Sequence, residues 1–285
     1  MNISNFIETQ FPLDLMIENI PNDKKEDAIK YYYNSKSDAI FGYNSIKKYL
    51  NKNFQILEVG GGLHFLSFYL HYLGFSIFSL EPGNFQNYID QMRINSKKVK
   101  IDLKIFDEYL EEFEKKNHEK FNFIYSINVL EHVKDIEKHL KISVKCLKNN
   151  DSKILIRCPN YNFPYESHFR SIFIPFFPLF TFEKILRKKM IKKLSFEKYL
   201  NRINSINFEC SYNKIKKLKL NIVFLNPIID LMDRVENDKV FENRIMSNKI
   251  IKVIYNLINF LKLKKIISLL CPKIFYPYLI IEIKK

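Results

Sequence analysis

The 285-residue sequence predicts an α/β chain: a mostly parallel, doubly wound sheet with helices on both faces. Three observations predict it. Short apolar runs alternate with stretches of helical periodicity from residue 53 to residue 160. The first of these runs, NFQILEVG, leads straight into three consecutive glycines, Gly60 to Gly62, in a chain that has only six. The chain closes on another apolar run, YPYLIIEIKK, which reads as a final strand.

Taken in order, residues 1–23 read as a short extension and residues 24–50 as a helix, since apolar positions recur at helical spacing with no internal proline. Residues 53–60 form a buried strand. Residues 63–74 form a helix closed by Gly74. A second strand, 75–83, ends in a Pro-Gly turn, and a helix spans 84–96. The alternation in KVKIDLKIFD predicts a strand over 98–107, then a polar helix over 108–120. A strand over 121–128, a helix opening at Val129 and a strand over 152–160 follow. From Tyr161 the pattern breaks into a Phe-rich, Pro-containing, basic segment, read as an insertion. The alternation resumes with a helix near 212–218 and a strand over 220–227. The expected division is an N-terminal helical extension (1–44), a ligand-binding core (45–160), an insertion or lid (161–200) and a C-terminal completion of the sheet (201–285).

Composition narrows the class. Hydrophobic residues make up 47% of the chain, enough for a folded core. The N-terminus carries acidic residues and no basic start, so no secretory signal is expected, and no long uncharged apolar run predicts a spanning helix. Four scattered cysteines with no C-x-x-C pair argue against a zinc site and fit a reducing cytoplasm. The net charge of +15 comes from lysines spread along the chain, in a Lys-, Ile- and Asn-rich composition that suggests a bacterial, AT-rich source. No nucleic-acid-reading motif accompanies it, so nucleic acid is not expected as a partner.

The glycines sit where a doubly wound sheet binds ligands, at the first strand-to-helix turn, where bare backbone allows a tight turn and close approach. A dinucleotide turn needs G-x-G-x-x-G, but Phe65 occupies the third glycine position. Glu58, two residues before Gly60, would repel a pyrophosphate and suits a cationic ligand. No G-K-[ST] follows, which excludes a P-loop.

These residues resemble the class I S-adenosylmethionine-dependent methyltransferases of the small-molecule type. LEVGGG is similar to the E-x-G-x-G signature of that family, and VLEHV after the fourth strand is similar to a second family stretch. The resemblance covers about residues 45–168 well. It implies a Rossmann-like sheet of seven strands with an antiparallel last strand, and S-adenosylmethionine as methyl donor with no metal. It also implies a cofactor site made of Glu58, Gly60, Gly61, Gly62, Glu81, Asp107 and Asn128. Within that set Glu81 would take the ribose hydroxyls and Asp107 the adenine side. Gly60 and Gly62 would lie against the ligand, and Gly61 would serve the turn.

Methyl transfer is an in-line displacement in which orientation matters most, and an acceptor hydroxyl must lose a proton. The candidate catalytic residues are His132, His168 and Glu166, with Tyr161 and Asn160 as candidates for orienting the acceptor. His64, just after the glycines, is a candidate to flank the ligand's amino-acid end. The expected acceptor is a small molecule, sugar or lipid-linked precursor methylated on oxygen. Two alternatives stay open here: an NAD-dependent oxidoreductase, and a non-catalytic, membrane-peripheral or partner-binding protein of the same fold. Three roles remain open for the Phe-rich segment: a lid, a peripheral membrane contact through 171–193, or a core-covering or dimer-forming element. Oligomeric state is not specified by the sequence.

Overall fold

The computed structural model describes residues 1–83, 87–99, 101–118, 120–175 and 177–285. The expected elements 84–96, 98–107, 108–120 and 161–200 each include one or more positions outside the described residues.

The chain divides into two compact units, residues 1–127, 139–155 and 283–285 in the first, and 128–138 with 156–282 in the second. The first unit opens with α1 (Ile3–Gln10), capped by the Asn2 side chain, which accepts from the Asn5 amide at 2.9 Å. A single turn, α2 (Leu13–Met16), leads to the long α3 (Asn22–Ile46). Strand β1 (Gln55–Val59), helix α4 (Phe65–Tyr72), strand β2 (Ser76–Leu80) and helix α5 (Asn87–Lys97) follow. Then come β3 (Lys104–Phe106), α6 (Leu110–Lys116), β4 (Phe123–Ile127) and α7 (Ile136–Lys145). The residues read as an N-terminal extension are part of the core. Phe6 and Phe11 are fully buried, and Phe11 lies 5.1 Å from Phe65 and 4.9 Å from Phe68, ring centre to ring centre.

Strand β1 pairs in parallel with β2 and β4, and β2 pairs in parallel with β3. Buried β-branched and aromatic residues on β1, β2 and β4 make these strands apolar on both faces, as a sheet covered on two sides requires. Strand β3 is shorter than the alternation predicted. The described residues before it make local turns instead of a ladder, with the Lys98 amide bonded to the Asn95 carbonyl and the Leu103 amide to that of Ile101.

Strand β5 (Lys153–Pro159) begins in the first unit, and the second unit continues it into a ribbon of β6 (Tyr165–Glu166) and β7 (Ser171–Ile172), paired antiparallel. The insertion continues with α8 (Pro178–Phe180), a π-turn, α9 (Arg187–Leu194) and α10 (Phe196–Asn204). Pro178 opens α8, whose single turn passes directly into the π-turn at Thr181. Part of the Phe-rich segment forms a small core, in which Phe169 stacks on Phe182 at 4.6 Å and Phe173 is buried with them, while Ile174, Phe177, Leu179 and Phe180 are exposed. After α11 (Tyr212–Ile215) come β8 (Asn221–Leu225), α12 (Ile228–Asn237), α13 (Lys239–Met246), α14 (Lys249–Phe260), α15 (Lys264–Leu270) and β9 (Tyr278–Lys284). The seven-stranded sheet has the order β3-β2-β1-β4-β5-β9-β8, mostly parallel with one antiparallel end. This is the Rossmann-like sheet that the sequence predicted.

Candidate functional site

The first cluster lies at the carboxyl ends of β1 and β2. Gly60 and Gly62 have φ of 83° and 55°, and His64 opens α4 at φ 59°. These left-handed positions turn the chain sharply between strand and helix. A Cβ on Gly61 would stand 2.4 Å from both His64 Nδ1 and Ser79 Oγ, so that glycine is required by packing beneath the turn. Among the described residues, a Cβ on Gly62 would meet the Tyr31 hydroxyl at 3.8 Å, an ordinary contact, so packing does not require this glycine as it does Gly61.

Glu58 is buried, and the β1–β2 register sets it beside Ser79. Its Oε2 accepts from Ser67 at 2.5 Å and from Ser79 at 2.9 Å. Burial pushes its carboxyl above the ordinary range, against the opposing effect of those hydroxyls. Glu58 thus braces the inner side of the turn. His64 is fully buried, its Nδ1 bonded to Ser79 Oγ at 2.8 Å. Burial, reinforced by Arg93 and Lys97, lowers it to about 3, so it is neutral.

Glu81 ends the β2 side of the cluster. Its Oε2 accepts from the Gly62 amide at 2.6 Å, and its own amide donates to the Phe106 carbonyl at 3.1 Å. Burial raises its carboxyl to about 7, despite the Gly62 amide and Arg93, which pull the other way. Asp107 accepts from Arg93 Nη2 at 3.0 Å and from Lys97 Nζ at 2.8 Å. Burial alone would raise it, but Lys97 and Arg93 outweigh that and hold it below the ordinary range.

Arg93, on α5, was not singled out from the sequence. Its Nη2 donates to the Glu81 carbonyl at 2.7 Å as well as to Asp107. One buried guanidinium therefore ties the end of β2 to the residue following β3. Nothing in a polar helix marks one arginine for this role, because the contact depends on where α5 packs. Tyr31 was missed for the same reason: α3 carries it to the turn, where burial and the neighbouring Glu81 raise its hydroxyl far above the ordinary range.

These residues fit a nucleoside that carries no phosphate. Two buried carboxylates flank the turn, which disfavours a pyrophosphate, and Glu81 is an acceptor suited to ribose hydroxyls. Gly62 is only partly buried, and among the described residues the Tyr31 hydroxyl is what stands within 4 Å of its Cβ position.

The second cluster belongs wholly to the second unit. His168 Nδ1 bonds Glu166 Oε1 at 2.6 Å, and Glu166 is completely buried. Since a carboxylate only accepts, Nδ1 carries the proton and Nε2 of the neutral ring keeps its lone pair. Burial opposes charge on His168, but Glu166 outweighs it and holds the ring above the ordinary histidine range. His132 Nδ1 donates to the Ser205 carbonyl at 2.7 Å, which also leaves Nε2 available. The two imidazoles stand 5.2 Å apart, edge to face. Glu131, 1% exposed, sits with them, and its Oε2 has no partner among the described residues. One ligand-capable atom from each of Glu131, His132 and His168 lies within 4.8 Å of the others.

The local backbone differs from the expected helix opening at Val129. Leu130–His132 is a single 3-10 turn, Val133 is extended, and α7 begins later, with Asp135 Oδ1 accepting from the Lys138 amide at 2.9 Å. The break frees His132 from a helical surface. Tyr161 donates to Glu166 Oε1 at 3.3 Å and so supports the dyad. Asn160 does not point to an acceptor. Its Nδ2 donates to the Ile274 and Tyr276 carbonyls, and its Oδ1 accepts from the Asn162 and Tyr212 amides. It locks loops together. Asn128, at φ 58°, accepts from the Tyr278 hydroxyl through Oδ1.

The sequence model of a family described as a methyltransferase domain matches residues 31–203. Among curated proteins, the chain is 32% identical over 120 residues to an uncharacterized protein of Mycobacterium tuberculosis, a match covering 40% of this chain and 39% of that one. It is 30% identical over 99 residues to a ubiquinone biosynthesis O-methyltransferase of Pelagibacter ubique, covering 35% of this chain and 40% of that enzyme. The match thus spans about two fifths of the length of these curated relatives. Among solved structures, the plantazolicin methyltransferase BpumL in complex with SAH has a TM-score of 0.50 at 11% identity, over 99% of this chain and 97% of that one. That likeness is one of fold.

Proposed function

The chain belongs to the methyltransferase-domain family, of the class I S-adenosylmethionine-dependent type, and from that membership we propose that it moves the methyl group of S-adenosylmethionine to an oxygen of a small-molecule, sugar or lipid-linked acceptor. The family match sets aside the NAD-dependent oxidoreductase alternative. The observation that carries the reading of the donor site is the buried Glu81 carboxylate, held at the turn by the Gly62 amide at 2.6 Å.

When bound, S-adenosylmethionine supplies an electrophilic sulfonium methyl. Glu81 would accept hydrogen bonds from the ribose hydroxyls, with Arg93 fixing the backbone that carries it. Gly62 would let the ligand approach the chain without a side chain of its own between them. Asp107, steadied by Lys97 and Arg93, offers an acceptor on the adenine side. At the second cluster, His168 Nε2 would take the proton of an acceptor hydroxyl, as its bond to Glu166 leaves that nitrogen free. Glu166 stabilises the resulting imidazolium, as a carboxylate behind a catalytic histidine does.

Two measurements test this. Calorimetric titration should show S-adenosylhomocysteine binding and no NADH binding; the reverse would sink the donor assignment. Labelled S-adenosylmethionine, incubated with fractionated bacterial extracts, should transfer label to a base-stable, non-protein product. Label appearing only in protein or nucleic acid would overturn the acceptor class.

A further inference from the structure

Helices α14 and α15 form a hairpin, reversed at Lys262 with φ 54° and closed by the Leu263 amide on the Ile258 carbonyl at 2.9 Å. The Asn248 side chain caps α14, accepting from the Ile250 and Ile251 amides. One face of the hairpin is committed inward: Tyr255, Ile258, Ile267 and Cys271 pack on Ile228, Met232 and Tyr276. The opposite face is also apolar. Ile250, Val253, Leu257 and Phe260 recur three or four residues apart, which puts them on one stripe of α14, and all are exposed. Phe260 is 83% exposed, and Leu269 on α15 is 84% exposed. Apolar surface on this scale marks a binding face rather than ordinary solvent exposure.

Charge identifies what the face fits. Residues 249–275 contain lysines 249, 252, 262, 264, 265 and 273 and not one Asp or Glu. Lys264 is held by Asp233 at 2.5 Å; the remaining lysines border the apolar stripe in sequence. A second copy of the chain would bring this lysine border against its own image. An anionic surface complements it. An apolar stripe with lysines beside it is the composition of a helix that lies in the headgroup plane of a bilayer. No helix among the described residues is long and apolar enough to cross a membrane, so the contact is peripheral.

We propose that the α14–α15 hairpin docks the protein on anionic phospholipid bilayers, with Phe260 and Leu269 entering the acyl boundary and the lysines meeting the phosphates. The site lies outside 171–193, for which a membrane contact was one of three roles left open by the sequence, and it does not depend on which reaction the protein performs.

The full chain should co-sediment with vesicles of phosphatidylcholine and phosphatidylglycerol, weakly with phosphatidylcholine alone, and less as salt rises. Phe260→Ser with Leu269→Ser should lower vesicle affinity by at least about tenfold while leaving the melting temperature and S-adenosylhomocysteine affinity unchanged. The chain has no tryptophan, so Phe260→Trp adds a lone reporter whose emission should move to the blue with anionic vesicles. Absence of sedimentation with anionic vesicles would overturn the proposal. So would an indole emission from the Phe260→Trp variant that vesicles leave in place, or a dimer in light scattering that the double variant makes monomeric without any change in lipid binding.

Discussion

The Glu81 carboxylate receives the Gly62 amide at 2.6 Å, joining the tip of the second strand to the turn after the first. Burial raises this carboxyl to about 7. A raised carboxyl favours the folded state below its ordinary range, and that contribution is lost as pH rises through about 7. Ligand binding has the opposite sign, because the ribose hydroxyls need an ionised acceptor. S-adenosylhomocysteine affinity should therefore fall by up to about tenfold from pH 8 to pH 6. Glu81→Gln should flatten that dependence, and Glu81→Ala should lower affinity by roughly tenfold or more at pH 8. Calorimetry across the range checks both.

Gly61 and Gly62 are adjacent, yet their substitutions should fail differently. Gly61→Ala drives a methyl to 2.4 Å from His64 and Ser79, so it should cost about 1–3 kcal/mol of stability. Gly62→Ala makes only an ordinary contact with the Tyr31 hydroxyl but strains a φ of 55°, costing about 1 kcal/mol, and places its methyl on the expected ligand side. Denaturant titration should single out Gly61→Ala, and cofactor titration Gly62→Ala. Equal losses on both axes would contradict the assignment of the two faces.

Arg93→Met should loosen the carbonyl of Glu81 and remove one partner of Asp107, lowering stability by about 1–3 kcal/mol. Cofactor affinity should fall with it. Arg93→Lys restores charge without the fork and should recover only part of either loss. Full recovery with Lys would mean that charge alone matters at this position.

His168 is held above the ordinary histidine range by Glu166, against the effect of burial. Turnover should rise with pH as Nε2 loses its proton. Glu166→Gln should move that rise to lower pH, since the carboxylate no longer favours the imidazolium, and should lower the plateau. His168→Asn should reduce turnover by about 10²–10⁴-fold with cofactor affinity unchanged. A merely structural His168 would show no displaced pH profile in Glu166→Gln.

The grouping of Glu131 Oε2 with His132 and His168 predicts inhibition by a soft divalent ion. Zn²⁺ should occupy the two Nε2 atoms and stop turnover, while EDTA leaves it unchanged. His168→Asn should abolish zinc binding in equilibrium dialysis. Loss of activity on EDTA treatment would refute the base role of His168.

The strand–glycine turn–helix run and the acidic tip of β2 were legible because local backbone needs and short spacing write them directly into the sequence. The same holds for the central strands β1, β2, β4 and β5, since burial on both faces gives each a largely apolar run. The end of the expected helix at 129 was less legible. VLEHV has helical spacing, yet only the Asp135 cap and the extended Val133 show where α7 starts.

What the sequence by itself determined is the order of elements and the chemistry of the donor turn, both fixed by near neighbours in the chain. Tertiary structure alone decided that Arg93 links Glu81 to Asp107, that Glu58 faces inward to two serines, and that Asn160 secures loops. It also decided that α14 and α15 keep one apolar face outward. These are contacts or exposures set by how distant segments pack, and amphipathic spacing cannot say which of two apolar faces the core will take.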